Sequence, residues 1–426
     1  MSENSENTYQ GWTSRLACYT YLVLVASLGL PQIPVHLLGQ DILAPDLLFL
    51  LAGALFALSV VFERRMPRWH FICWALLAYI AALLVSAIFS VDHQASLARF
   101  PAEVYLVCLA VLTFNIADSP SLLKRSVIAW LVGTVIAVAI GVAAIVIFYI
   151  DPSASLIEYI TYHYGSVPVG NYPRVSAGFI SASMLCNYLN VSFVFTLLAF
   201  SRGWLPRIVA LGLLGAIAIV SIFTISIGLG GLALAIAFAV PLFSQSRLTR
   251  RRIFFAGGAV VSLLFLLGSL FALAPYPEAK VWFHIPLIGN VMPSARVLVW
   301  KDAISTFLSR PLTGIGLGKP VANVVFTNTD GSLSLLTDAH NSFLSMAAQS
   351  GIIGLAAFAS IVVLVLKQWI RAIVDTASPT LIRALGLAFV CAFVYQGLTG
   401  SFEDSRHLWI MVGMFLAADR LDTGET

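Results

Sequence analysis

The sequence predicts an all-α fold, a polytopic transmembrane helical bundle of about twelve spans. Three observations carry this. First, 59% of the 426 residues are hydrophobic and only 10% are charged, against roughly 45–50% and 25% in an average soluble domain. Second, the mean hydropathy of +0.93 arises from apolar runs along the whole chain, which excludes a single anchor on a water-soluble body. Third, runs of near-span length recur between short loops that carry Lys and Arg. The same composition excludes a soluble enzyme, a disordered chain and a nucleic-acid binder. The net charge of +4 is too small to point to a polyanionic partner.

Residues 1–15 hold Glu3 and Glu6 before their first cation, Arg15. A cleavable signal opens with positive charge, so the first apolar run is expected to persist as a span. Expected spans are 16–36, 43–62, 70–90, 101–117, 126–150, 176–200, 206–226, 228–243, 253–274, 342–366, 381–400 and 407–419. Only a glycine-rich break near Ser226 and Gly231 separates the seventh from the eighth. The last span is short, as a tilted or shielded helix can be. With the N-terminus inside, 16 of the 24 Lys and Arg lie on the inner side, which places both termini there. Merging 206–243 into one span would break this alternation. The patch Arg247, Arg250, Arg251 and Arg252 reads as a topology determinant facing anionic lipid. Cys18, Cys73, Cys108, Cys186 and Cys391 lie in apolar runs and read as packing residues, without disulfide or zinc spacing.

The chain, 1–426, is thus one integral membrane domain with two distinctive outer loops, 151–175 and 275–341, the latter lying between spans nine and ten. The longer loop contains Trp282, Phe283, Trp300, Phe307 and Phe326, unlike a disordered segment. Within it, 297–310 has helical periodicity. Trp300, Ile304, Phe307 and Leu308 form one face; Lys301, Asp302, Ser305, Thr306 and Ser309 form the other. Pro311 ends it. Such an amphipathic helix lies on the outer membrane surface or caps the bundle.

The residues able to carry chemistry cluster on the outer side. Arg296 stands one turn before Trp300, and Arg174 ends Asn171-Tyr172-Pro173-Arg174 just before a span. Each either snorkels to headgroups or binds phosphate through its planar guanidinium. His340 lies in Thr337-Asp338-Ala339-His340-Asn341-Ser342. Asp338 is the expected N-cap, which sets His340 in the first helical turn, where the dipole favours neutral imidazole. That group is either a general base near pH 7 or an interfacial histidine without a role. The other six histidines lack metal-ligand spacing; His70 reads as interfacial on the inner side. The stretch from Pro311 to Pro320 is not a phosphate loop, because Thr313 stands where the first Gly belongs and Pro320 replaces the Ser or Thr. Its glycines read as a compact turn. Glu403-Asp404-Ser405-Arg406-His407 is either a solvated turn or part of the same cavity. No internal repeat is evident, which disfavours an inverted-repeat transporter. The spans are nearly free of charge at their centres, unlike an ion or solute pathway.

Taken in order, Arg296, three residues, Trp300, then Pro311-Leu312-Thr313-Gly314-Ile315-Gly316-Leu317-Gly318, then His340-Asn341-Ser342-Phe343-Leu344 and Gly351-Ile352-Ile353-Gly354-Leu355 resemble the signature region of the O-antigen ligase and polymerase superfamily. These are bacterial membrane proteins that handle lipid-linked glycans. Arg174-Val175-Ser176-Ala177-Gly178-Phe179 is a looser second match. One departure is Ser226-Ile227-Gly228, where the family often has Ser-Arg-Gly.

The resemblance implies a bacterial inner-membrane protein with cytoplasmic termini and a periplasmic active site in 275–341. It implies a glycosyltransferase acting on a glycan linked to undecaprenyl pyrophosphate, with lipid A–core or another glycan as acceptor and membrane lipid around it. Essential residues carry over to His340 as the catalytic base and to Arg174 and Arg296 as pyrophosphate ligands. Trp300, Gly316, Gly318, Asp338 and Asn341 are expected to support them. No cofactor and no metal is called for, since the arginines supply positive charge. Ligase and repeat-unit polymerase share this region, so both stand; a transporter or flippase is the third class.

Overall fold

A computed structural model describes residues 11–37, 40–64, 66–161, 173–226, 228–243, 255, 257–258, 283–285, 289–291, 296–327, 333–375, 380–400 and 405–423. Among them are 13 helices. These are α1 (Trp12–Ser27), α2 (Ala44–Phe62), α3 (Ile72–Ile88), α4 (His93–Ile116), α5 (Pro120–Ile150), α6 (Ile157–Ile160), α7 (Ala182–Ser201), α8 (Arg207–Phe223), α9 (Leu229–Phe243), α10 (Arg296–Ser309), α11 (Ser342–Val374), α12 (Thr380–Thr399) and α13 (Arg406–Thr423). Six are long and apolar enough to cross a bilayer: α2, α4, α5, α7, α11 and α12. The chain is an all-α, multi-pass membrane protein. Eleven of the expected spans fall on helices. The run 253–274 and the Arg247–Arg252 patch lie outside the described residues, apart from isolated helical positions at 255, 257 and 258.

Helix starts follow capping groups rather than the onset of hydropathy. The Asp92 carboxylate accepts the Ala95 amide at 3.1 Å and opens α4 well before residue 101. Ser119 caps α5 ahead of Pro120, and Ser181 caps α7. These side chains satisfy amide groups that the first turn leaves without partners. The doubtful pair resolves into two helices, α8 and α9. Between them Ile225 takes φ +47°, and the Ser226 hydroxyl accepts the Gly228 amide at 3.0 Å.

Contacts at the two ends fix the directions of the helices: most join the start of one helix to the end of another, an antiparallel pairing, while α7 and α13 begin at the same end and run parallel. At one end, the loop end, the Ser342 hydroxyl at the start of α11 donates to the Gln396 carbonyl near the end of α12 at 3.3 Å. There too His407, at the start of α13, is 3.1 Å from the Asn187 side chain near the start of α7. At the opposite end Glu63, after α2, accepts from Thr13 and Ser14 of α1. Arg68 pairs with Asp118 after α4 at 2.9 Å, and His70 with Asp419 of α13 at 3.1 Å. His70 is therefore buried inside the protein and not interfacial. Helices α7 and α12 are central, with 78% of their most apolar stretch buried, whereas α2 shows 17%. Interhelical hydrogen bonds such as those of Asn187 contribute about 1 kcal/mol each in a membrane, so close packing carries most of the association.

Among the described residues three two-stranded antiparallel hairpins, which the sequence did not suggest, decorate the connections. They are β1 (Val35–Leu37) with β2 (Gln40–Ile42), β3 (Phe283–Ile285) with β4 (Gly289–Val291), and β5 (Val324–Thr327) with β6 (Leu333–Leu336). The last pairs Val324 with Leu336 and Thr327 with Leu333. The β-branched run in β5 favours an extended strand. All five cysteines are free and four are buried; Cys108 is exposed on α4 and is not the packing residue expected.

Candidate active site

The loop end gathers most of the sequence motifs, and the long α11 organises them. Gly351 interrupts this helix with φ +65° and ψ −165°. The break exposes carbonyls that helical bonding would otherwise use. The glycine-rich turn fills them: the Ile315 amide donates to the Ala348 carbonyl and the Gly316 amide to the Gln349 carbonyl, each at 2.9 Å. In return the Ile352 amide donates to the Pro311 carbonyl at 2.8 Å. A Cβ on Gly316, whose φ is +110°, would lie 1.9 Å from the Ser90 hydroxyl oxygen. This turn is thus a backbone clasp on the α11 kink, and Gly316 is small because Ser90 and Ser96 press against it. Gly318 has φ +70° within the same turn. The clasp reaches α4 as well, since Lys319 Nζ lies 2.6 Å from the Asp92 carboxylate. That contact, with the Ala95 amide, holds the Asp92 carboxyl below the usual carboxylate range.

Helix α10 and the β5–β6 hairpin form a small separate core with the start of α11. Val299, Ala303, Val321, Ala322, Ala339 and Ala348 are its buried members. The amphipathic helix is where the sequence placed it, but its packed face is rotated. Small Val299 and Ala303 turn inward, and Thr306 donates to the Val321 carbonyl at 3.0 Å. Ile304 and Leu308, of the apolar face the periodicity marked, are exposed, a surface suited to lipid, as in the membrane-surface alternative. Trp300 is half-buried, and its indole Nε1 donates to the Ala339 carbonyl at 2.9 Å. It thereby fastens α10 to the residue preceding His340.

His340 departs from expectation. Asn341, not Asp338, is the N-cap of α11: its side-chain oxygen accepts the Phe343 amide at 3.0 Å and the Leu344 amide at 3.1 Å. Asp338 instead turns to His340. One carboxylate oxygen accepts the His340 amide at 3.2 Å, and the other lies 3.2 Å from Nδ1 of the ring. His340 therefore precedes the helix instead of lying in its first turn, and the dipole argument for a neutral ring falls away. Its side chain is 46% exposed, and its φ of +47° is left-handed. A non-glycine residue pays about 1–2 kcal/mol for that conformation. Such strain concentrates at functional sites.

Arg174 is held between two segments. Its Nε donates to the Thr224 carbonyl at 3.2 Å, and the neighbouring Val175 amide donates to the Phe223 carbonyl at 2.9 Å. Both carbonyls belong to the negative end of α8, which favours a cation. Left-handed Ala177 and Ile225 flank this contact on either side. Arg174 and His340 thus belong to different local clusters, linked through α7. The Ser226 hydroxyl meets Ser183 at 3.0 Å; the Asn187 amide bonds Gln396 at 3.2 Å, and Ser342 bonds the Gln396 backbone. Arg296 opens α10, one turn before Trp300. Its side chain lies outside the described residues, as do Glu403 and Asp404. Arg406 and His407 are no solvated turn. Arg406 makes a two-pronged ion pair with Asp46 at 2.6 and 3.0 Å, and His407 is buried against Asn187.

Residues 181–359 match the family model of the O-antigen ligases. No curated protein matches the chain significantly. The O-antigen ligase match begins at Ser181, the cap of α7, and ends within α11. It takes in the α8–α9 junction, α10, the clasp and His340, and Arg174 lies just ahead of it. The resemblance carried by the motifs is thereby borne out over this stretch. It indicates glycosyltransferase chemistry of the O-antigen ligase or polymerase kind. Sequence reading missed the buried amides Asn187 and Gln396, which lie beside His407 of the cluster it did name. Asn187 and Asn190, three residues apart in an apolar run, were the available signal.

Proposed function

We propose that the chain is an O-antigen ligase-like enzyme that moves a glycan from undecaprenyl pyrophosphate to a sugar hydroxyl of lipid A–core on the periplasmic side of the inner membrane. The observation that carries this is the family match over the segment in which His340 is strained, exposed and paired with a carboxylate. The periplasm supplies no ATP, so the donor must bring its own leaving group, and a glycosyl pyrophosphate does. The acceptor hydroxyl oxygen attacks the anomeric carbon opposite the pyrophosphate. The new C–O bond forms as the C–O bond to phosphate breaks, the hydroxyl proton passes to His340, and undecaprenyl pyrophosphate departs. Configuration at the anomeric carbon inverts.

A general base contributes about 10²–10⁴-fold to such a step. Arg174 and Arg296 would meet the charge developing on the leaving group, each worth on the order of 10²–10³-fold. These arginines provide the cationic charge, so no metal is assigned. Supporting this role for Arg296, its helix is fastened one turn later, through Trp300, to the His340 segment. The test is the surface polysaccharide of a deletion strain. Loss of ligation leaves polymerised glycan on its lipid carrier and bare core on lipid A. Core bearing at most one repeat unit would identify a polymerase instead, and unchanged glycans with altered solute uptake a transporter. Complementation by His340→Ala or Arg296→Ala, expressed normally, is expected to fail; full restoration would refute the site.

A further inference from the structure

The carboxylate of Asp338 is committed on both oxygens. Oδ1 accepts the His340 amide at 3.2 Å and the Ser345 hydroxyl at 3.3 Å, while Oδ2 lies 3.2 Å from His340 Nδ1. Ser345 belongs to the first turn of α11, so Asp338 is anchored to the helix as well as to the histidine. Trp300 pins the carbonyl between them. Together these contacts hold His340 in its left-handed conformation. An ionised carboxylate can only accept hydrogen bonds, so the ring nitrogen it faces carries the proton. The lone pair then resides on Nε2.

We propose that Asp338 is the positioning residue of His340: it holds the proton on Nδ1, fixes the ring, and leaves Nε2 to receive the acceptor's proton. This rests on the proposed role of His340 as base. In the transfer step the hydroxyl proton moves to Nε2, the acceptor oxygen bonds to the anomeric carbon, and the bond to pyrophosphate breaks. The imidazolium so formed sits beside the Asp338 carboxylate, which offsets its charge without taking the proton. Water accepts that proton once product has left. The sequence suggested a capping role and an unspecified supporting one for Asp338; the cap is Asn341, and the support takes this form.

Asp338→Asn is the informative change. Its amide oxygen can still accept from the His340 amide and Ser345, but its NH2 group replaces the acceptor at Nδ1 and favours the wrong tautomer. With purified full-length chain in lipid nanodiscs, undecaprenyl-pyrophosphate glycan and lipid A–core, kcat is expected to fall on the order of 10–100-fold, a part of what a general base supplies. KM for both substrates stays near wild type, and Asp338→Glu recovers part of the rate. In a His340→Ala background Asp338→Asn adds no further loss. Nitrogen NMR of isotope-labelled histidine in the wild-type protein, assigned with His340→Gln, is expected to show a proton on Nδ1. A proton on Nε2, or unchanged kcat in Asp338→Asn while His340→Ala is inactive, would overturn the inference and leave His340 as base. Full activity in His340→Ala would instead refute the role on which it rests.

Discussion

Replacing Gly351 with Ala tests whether the α11 kink is built by the clasp. At φ +65° an added Cβ would lie 2.2 Å from the Leu312 carbonyl oxygen and 2.3 Å from its carbon. Both are backbone atoms of the clasp, so no side chain can swing aside. With ψ at −165° the backbone lies in a region that is essentially glycine's alone, which costs alanine about 1–3 kcal/mol. Overpacking adds about 1–3 kcal/mol, giving a destabilisation of roughly 2–6 kcal/mol. Gly53→Ala on α2 is the control, because nothing lies within 4 Å of its Cβ position. Removing a helical glycine there stabilises by up to about 1 kcal/mol. The assay is thermal unfolding of both variants in detergent, alongside glycan transfer. Gly351→Ala is expected to melt lower and lose transfer, and Gly53→Ala to melt at or above wild type. Equal melting of Gly351→Ala and wild type, with α11 still binding the clasp, would refute the reasoning.

Asn341→Ala removes the cap of α11 and is expected to cost about 0.5–2 kcal/mol; it should also slow transfer, because His340 is its neighbour. Ser119→Ala, which uncaps the distant α5, should cost similar stability without that rate loss, as paired melting and rate measurements will show. The Asp92–Lys319 contact predicts a pH dependence. Since the folded Asp92 carboxyl is held below its ordinary range, its stabilisation is complete above the unfolded value of about 4 and is lost as pH falls through the folded one. Melting curves of wild type and Lys319→Met are thus expected to differ at neutral pH and converge in acid. Transfer measured with excess chelator should match transfer without it, because the charge on the leaving group is assigned to arginines.

The helices were legible because hydropathy reports burial in lipid, which each span repeats. Their starts were not, because capping by Asp92 and Ser119 occurs in polar sequence outside the apolar run. The face by which α10 packs was hidden for a related reason. Periodicity ranks residues by size and polarity, yet Ala303 packs inward because it is small, and Ile304 and Leu308 face outward where lipid accepts them. At the site, Asp338 and Asn341 were equally good caps by residue type. The choice fell to Asn341 because Asp338 is occupied by His340 and Ser345. The positions of His340 and of the clasp glycines followed from their motifs. The purpose of the clasp did not, since a single left-handed glycine inside a long apolar helix leaves no mark in its neighbours. Arg174 was singled out from its place before a span, and its bond to the end of α8 depends on a contact fifty residues away.

The most direct measurement is transfer by the purified chain from undecaprenyl-pyrophosphate glycan to lipid A–core, with the anomeric configuration of the product determined and His340→Ala run alongside. The expected result is an inverted linkage and a loss of roughly 10²–10⁴-fold in kcat for the variant. Retention of configuration, or transfer by His340→Ala at the wild-type rate, would contradict a single displacement assisted by His340.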